Sequence, residues 1–426
     1  MSFRNALAGL HAPIAARIPA INAALFASLF FFLPAHVAPA YSISGLILLL
    51  SVVEGRFAEK WAQLKGDPLF WIFQAFFWIT PLSLLWTDDL QAGLRMVGRY
   101  SFFLLSPLYL TIARRELAPR CIAAFLAGCL MAEVLAYYNW LEMTYFPEWP
   151  GGIRVQKEAT ETAPFVDHIL YAPILAWAGY LALREALAAT GWRRAGFALL
   201  AALTTGNLIF STGRTGQLVF LVLVALLIFQ RFAGRHPLRA AVAAVGLTSG
   251  LAVLAYHTSA PIAAQVDETL SEFAQRHDTP DTATAQRLSF LTNSLRLAAE
   301  NLLTGVGAGD FDAAYADVNA RHTPGWTTTT NPHNQYLFTA TTTGLGGMLI
   351  LLLAYCPPIL WRRQRDALAQ HRVALVVFIA VISLFEDYLW RSNTSLLYVL
   401  FAVQLLGRQS LGPPADGRQA APIRAE

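Results

Sequence analysis

The sequence predicts an all-α, polytopic membrane bundle of about twelve transmembrane helices with a long, helical extramembrane loop. Three observations predict it. Of 426 residues, 56% are hydrophobic and only 14% charged, where soluble domains run at roughly 25% charged. Apolar runs close to the ~20 residues that cross a bilayer recur along most of the chain, and mean hydropathy is +0.46. The basic residues also gather on alternate connections. These features exclude a disordered chain, a collagen-like fibre, a disulfide scaffold and an ordinary soluble enzyme. Cys121, Cys129 and Cys356 lie in or beside apolar runs, with no metal or redox spacing among them.

Taken in order, the expected spans are 18–34, 37–53, 68–86, 94–113, 119–140, 165–183, 195–211, 215–230, 238–257, 335–360, 373–389 and 393–407. Ala38-Pro39-Ala40 resembles a signal-peptide cleavage site. The apolar core before it is longer than such a peptide's, and eleven spans follow, so the first is read as an uncleaved span. One set of connections, beginning with Arg4, Arg17, Arg56, Lys60 and Lys65, carries 21 of the 31 basic residues, and the opposite set carries eight. The positive-inside rule makes the first set, and with it both termini, cytoplasmic.

The chain thus divides into residues 1–257 (spans one to nine), an outer loop 258–334, residues 335–407 (spans ten to twelve) and a disordered cytoplasmic tail 408–426. The loop of about 77 residues is far longer than a turn. Ile262, Val266, Leu270 and Phe273 recur at helical spacing within it, as do Leu288, Leu291, Leu295 and Leu302. Two or three short amphipathic helices lying on the outer membrane face are expected. A second outer segment, 141–164, carries Trp149-Pro150-Gly151-Gly152 and reads as a rim or lid.

Arginines on the outer side are informative because topology disfavours them there. Arg214, in Ser211-Thr212-Gly213-Arg214-Thr215-Gly216, reads either as an interfacial side chain reaching for headgroups or as an anion clamp helped by its glycines. Arg287, in Ala285-Gln286-Arg287-Leu288, is a solvated loop residue or a second clamp. Arg95 and Arg99, four apart on one helix face, either pair with Asp88 or Asp89 or meet substrate. His333 stands in Asn331-Pro332-His333-Asn334-Gln335-Tyr336, where the loop re-enters the membrane; Asn331 or Asn334 is placed to cap the helix. The positive helix end favours the neutral ring that a general base requires. Glu386-Asp387 is placed to orient an arginine or His333, or to form a rim with Arg391. Gly305-Val306-Gly307-Ala308-Gly309-Asp310 lacks the lysine of a phosphate-binding loop and reads as a helix stop and turn. Asp310 and Asp312 form an acidic pair without a further ligand cluster in the sequence.

Ser211-Thr212-Gly213-Arg214, Arg287 with the following helix ending in Thr304-Gly305-Val306-Gly307-Ala308-Gly309-Asp310-Phe311, and Pro332-His333-Asn334-Gln335-Tyr336-Leu337 come in one order on one side. In this the sequence resembles the O-antigen ligase (WaaL-type) family, within the O-antigen ligase and polymerase group of GT-C membrane glycosyltransferases. The resemblance covers roughly 195–410. It implies a cofactor-free transferase of the bacterial inner membrane that moves a glycan from undecaprenyl pyrophosphate to a lipid A–core hydroxyl on the periplasmic side. Arg214, Arg287 and His333 take the family's essential catalytic positions and Asp387 its acidic one. Arg95, Arg99, Asp387 and Asn334 are assigned to substrate binding, with no metal and no nucleic-acid partner. An O-antigen polymerase and a protein O-oligosaccharyltransferase share the donor. A lipid-linked glycan transporter is the reading from another class, and it fits less well because the charged constellation lies on one face.

Overall fold

A computed structural model describes residues 3–146, 155–156, 162–234, 236–274, 282–357 and 366–410, with side chains from residue 16 onward. The expected rim at 149–152 and most of the expected tail lie outside the described residues. Among the described residues all regular structure is helical: α1 Phe3–Phe32, α2 Ala38–Glu54, α3 Phe57–Lys65, α4 Pro68–Ser83, α5 Leu90–Arg99, α6 Ser101–Leu110, α7 Ala118–Tyr145, α8 His168–Ala188 and α9 Gly191–Phe210. There follow α10 Arg214–Phe232, α11 Pro237–Thr258, α12 Ala260–Ala274, α13 Ala283–Glu300, α14 Phe311–His322, α15 Gln335–Tyr355, α16 Ala369–Ile382 and α17 Ser392–Leu406. Among the described residues five helices are long and apolar enough to cross a membrane: α4 with its 3₁₀ extension to Trp86, α7 with the turn before it, α10, α11 and α15. The pair α2 and α3, bent by 118°, makes a sixth if counted as one span.

The centre of the bundle is α8 and α17. Both are apolar around most of their circumference, as a helix surrounded by protein must be, and α17 is buried from Thr394 to Leu406. Trp177 of α8 stacks on Tyr180 and meets Phe401 of α17 edge-on. Against α8 packs α10, and this contact explains two glycines. A Cβ on Gly213 or Gly216 would lie 2.4 Å from Ala172 atoms, so only glycine lets the two helix starts touch.

The helices depart from the expected spans in two places. The expected span 94–113 is two helices, broken at Tyr100. Its first half, α5, carries Gln91, Arg95 and Arg99 and buries only Gly93 and Met96. The span expected to run to 389 ends at Ile382. Its backbone carbonyls beyond that point serve other partners: Ser383 O accepts from Gln335 N (2.9 Å) and Leu384 O from Asn334 Nδ2 (3.1 Å). Glu386 and Asp387 therefore sit in an irregular connection, 383–391.

Segment 258–334 folds as α12, α13 and α14. The apolar residues that define the stripes of α12 and α13 (Val266, Leu270 and Phe273; Leu288, Leu291 and Leu295) are exposed, while Ser289, Asn293 and Ser294 of α13 are buried. Helix α13 thus keeps its leucine stripe outward while burying a mixed face that also holds Ala285, Phe290 and Leu297, and α12 leaves its stripe open.

The glycine-rich turn 301–310 is a joint. Helix α15 is interrupted at Gly344, whose φ of +67° and ψ of −162° suit glycine alone. The break leaves the Thr341 and Thr342 carbonyls to accept the N–H groups of Val306 (2.8 Å) and Gly307 (3.0 Å), and Leu345 N donates to Leu302 O (2.8 Å). Asp310 closes the joint on its other side, its carboxylate accepting the backbone N–H groups of Asp88 and Asp89 at 2.8 Å each. A Cβ on Gly344 would lie 2.2 Å from Leu303 O. Gly344→Ala is therefore expected to destabilise the fold by at least ~1–3 kcal/mol, read as an earlier thermal transition in detergent; an unchanged transition would refute the joint.

Candidate active site

A cleft of about 290 Å³ opens where three helices begin. Its walls are His168 and Ile169 at the start of α8, Thr212–Gly216 at the start of α10, and Ala283 and Arg287 in the first turns of α13. Glu268 and Glu272 of α12 and Phe385 and Glu386 of the 383–391 connection complete it. Each helix start carries the positive end of its dipole, so three positive ends and two guanidiniums share one concavity with three carboxylates, Glu268, Glu272 and Glu386.

Arg214, half-buried, pairs with Glu268 and donates to Thr269 Oγ1 at 3.0 Å. Arg287 is exposed and makes no hydrogen bond or ion pair among the described residues. The glycines beside Arg214 act differently from the expected backbone cradle. Gly213 N donates to Ser211 Oγ (3.1 Å) and Gly216 N to Gly213 O (3.0 Å), so those N–H groups are already engaged and anion recognition falls to side chains and helix ends. α12 buries none of its residues. Polar contacts hold it over the cleft: the Arg214 pair, and Glu272 accepting from Thr284 N (3.2 Å) and Thr284 Oγ1 (2.5 Å) at the start of α13.

His333 lies behind the wall formed by Glu386. Its Nδ1 is 2.8 Å from Glu386 Oε2, and its ring stacks on Phe290 at 5.8 Å. The local sequence explains how it is held. Asn331 Oδ1 accepts the His333 N–H (3.0 Å), Asn334 caps α15 through Leu337 N (3.0 Å), and Gln335 Oε1 accepts Leu389 N (2.8 Å). The last of these, with the Gln335 N–Ser383 O and Asn334 Nδ2–Leu384 O bonds, ties the 334–335 end of the motif to the 383–391 connection, and His333 itself sits at φ +50°, a rare value for a side-chain-bearing residue. With Nδ1–H donated to Glu386, the ring presents Nε2 as a free acceptor, the tautomer a base needs.

The two carboxyls at 386 and 387 part company. Burial acts to raise Glu386, but the His333 hydrogen bond, Asp387 and Arg391 outweigh it and bring it down to about 2. Asp387 is fully buried, and burial followed by the Glu386 charge pushes it up, favouring the neutral form. Asp387, assigned to substrate binding from the sequence, is not among the residues that line this cleft, whose carboxylates are Glu268, Glu272 and Glu386. Asn334 likewise spends its side chain on Leu337 N and Leu384 O rather than on the cleft.

Arg95 and Arg99 are also absent from the cleft lining, and they separate from one another. Partial burial and then Asp89 push Asp312 up while Arg95 pulls it down, so Arg95 belongs to an acidic neighbourhood. Arg99 instead lies over the Trp390 ring, 5.0 Å from its centroid. The sequence reading missed His168, Glu268 and Glu272. A signal for His168 existed, because Asp167-His168 begins a helix much as His333 precedes one.

Residues 198–352, from α9 through the joint into α15, match a family model, Wzy_C, described as O-antigen ligase. The match covers a little over a third of the chain. No curated protein matches the chain. The matched stretch supplies Arg214, Arg287, His333 and the α12 carboxylates, whereas His168 and Glu386 come from outside it. The His333 hydrogen bond, Asp387 and Arg391 hold the Glu386 carboxyl well below the usual carboxylate range, so mild acid does not uncouple it from His333. Glu386→Gln does, and is expected to lower kcat about 10–100-fold with little change in donor KM, measured by steady-state transfer; unchanged kcat would remove Glu386 from the site.

Proposed function

We propose that this protein is an O-antigen ligase that transfers a glycan from undecaprenyl pyrophosphate to a hydroxyl of the lipid A–core on the periplasmic side of the bacterial inner membrane. The observation carrying this reading is the convergence of Arg214, Arg287 and three helix starts on one cleft, with the His333–Glu386 pair at its wall. The pyrophosphate has an anion site there. Its oxygens exchange with Glu268 for Arg214 and engage Arg287. The sugar C1 arrives already activated, so the catalytic demand is to stabilise charge on the departing pyrophosphate, and fixed guanidiniums do this without reorganising. His333 Nε2 takes the proton of the acceptor hydroxyl as its oxygen attacks C1. The C1–O bond to pyrophosphate breaks in the same step, which inverts the anomeric centre and needs no metal.

The outward apolar faces of α12 and α13 support the placement of 258–334 at a lipid surface, where the head group of the donor would lie. Twelve spans with both termini cytoplasmic are the topology we assign, from the distribution of basic residues. The decisive experiment joins purified protein, lipid-linked glycan and lipid A–core and scores the joined product, with and without a strong chelator. Ligation that persists with chelator supports the proposal. Elongation of the lipid-linked glycan without ligation makes the protein a polymerase instead, and a chelator-sensitive product defeats the metal-free step.

A further inference from the structure

A chain of contacts runs out from His333 through Glu386. Glu386 Oε2 meets His333 Nδ1 at 2.8 Å, and Glu386 Oε1 meets Arg391 Nη2 at 3.6 Å. The Arg391 guanidinium then lies 5.3 Å from the centroid of the Trp390 ring, and the Arg99 guanidinium 5.0 Å from the same centroid. Two guanidiniums thus crowd one indole. Arg99, at the exposed end of the chain, makes no hydrogen bond or ion pair among the described residues. Arg391 has only Glu386, a carboxylate it shares with His333, and its Nε is buried without a partner. Two positive charges thus share one ring, and a flat guanidinium fixed on an aromatic face is pre-oriented for bidentate oxygen.

We infer that Arg99 and Arg391, set on Trp390, form a second anion subsite, which holds a phosphate or carboxylate substituent of the acceptor saccharide. The inference rests on the transfer reading for its orientation: Arg214 and Arg287 take the donor pyrophosphate, so the base and the surface beyond it are left to the acceptor. Trp390 sets the distance between the subsite and His333, so the anionic substituent fixes which hydroxyl of the acceptor reaches Nε2. Arg95, four residues earlier on α5, acts instead on Asp312, whose carboxyl it pulls down, and takes no part.

The test uses the full-length protein in zwitterionic nanodiscs and an acceptor core lipid in two forms, as isolated and stripped of its phosphate and carboxylate charge. Acceptor binding is measured first, with no donor present. The wild type is expected to prefer the charged acceptor by about tenfold or more. Arg99→Ala is expected to erase that preference, and Arg99→Lys to restore it only in part. A preference that survives Arg99→Ala, or a variant that weakens both acceptors equally, overturns the subsite. Displacement of the charged acceptor by added anionic phospholipid at comparable concentration assigns the surface to headgroups and overturns it as well. Turnover is then measured with donor present. Binding that behaves as expected without any joined product would leave the subsite standing and sink the ligase reading, so the two failures are distinct.

Discussion

Replacing His333 with alanine is expected to lower glycan transfer by ~10²–10⁴-fold, while the protein still folds and still binds the pyrophosphate donor. The loss is specific because His333 does not line the anion cleft; it touches it through Glu386 Oε2 alone. Removing the imidazole takes away the acceptor for the hydroxyl proton and leaves Arg214, Arg287 and the three helix starts as they were. The same experiment separates two histidines. His168 lines the cleft directly, and if it were the base, His333→Ala would retain most of its turnover and His168→Ala would not. Steady-state rates for the two variants, with donor affinity measured in parallel, decide the matter. Wild-type turnover in His333→Ala would end the assignment.

Arg287→Lys is expected to cost ~10²–10³-fold in kcat, although the charge is kept. Arg287 has no ion pair among the described residues, so nothing in the protein competes for its guanidinium, and its planar fork is available to two oxygens at once. A lysine offers a point charge on a flexible stem and loses the bidentate contact. Arg214→Lys should behave differently. Arg214 is held by Glu268 and Thr269, so the lysine loses the Thr269 contact as well, and a weaker hold on α12 should show as a raised donor KM beside the fall in kcat. Full activity in Arg287→Lys would mean that the cleft needs only positive charge.

How much of this was legible in the residues alone depends on the range of the interaction that carries it. Helix occurs within each segment read as a span, because apolar runs are local properties of the chain, but among the described residues only five helices, or six with the bent pair, are long and apolar enough to cross a membrane. Arg214 and Arg287 were legible as candidates because topology disfavours arginine on the outer side, and His333 by its place where the loop re-enters the membrane, while the roles given to all three came from the family resemblance. The choice between Glu386 and Asp387 was not. Adjacent residues in irregular backbone point in different directions, and here the direction is set by Gln335 and Asn334 from some fifty residues earlier.

The sequence by itself determined the helical class, the three residues on which catalysis is proposed, and the segment that covers them. Only the tertiary structure decided that Arg95 and Arg99 serve different neighbours, that the glycine-rich turn locks into a broken α15, and that α8 brings a histidine to the cleft. Each of these is a contact between segments far apart in the chain, and such contacts depend on which helix faces meet, which hydropathy and spacing do not encode.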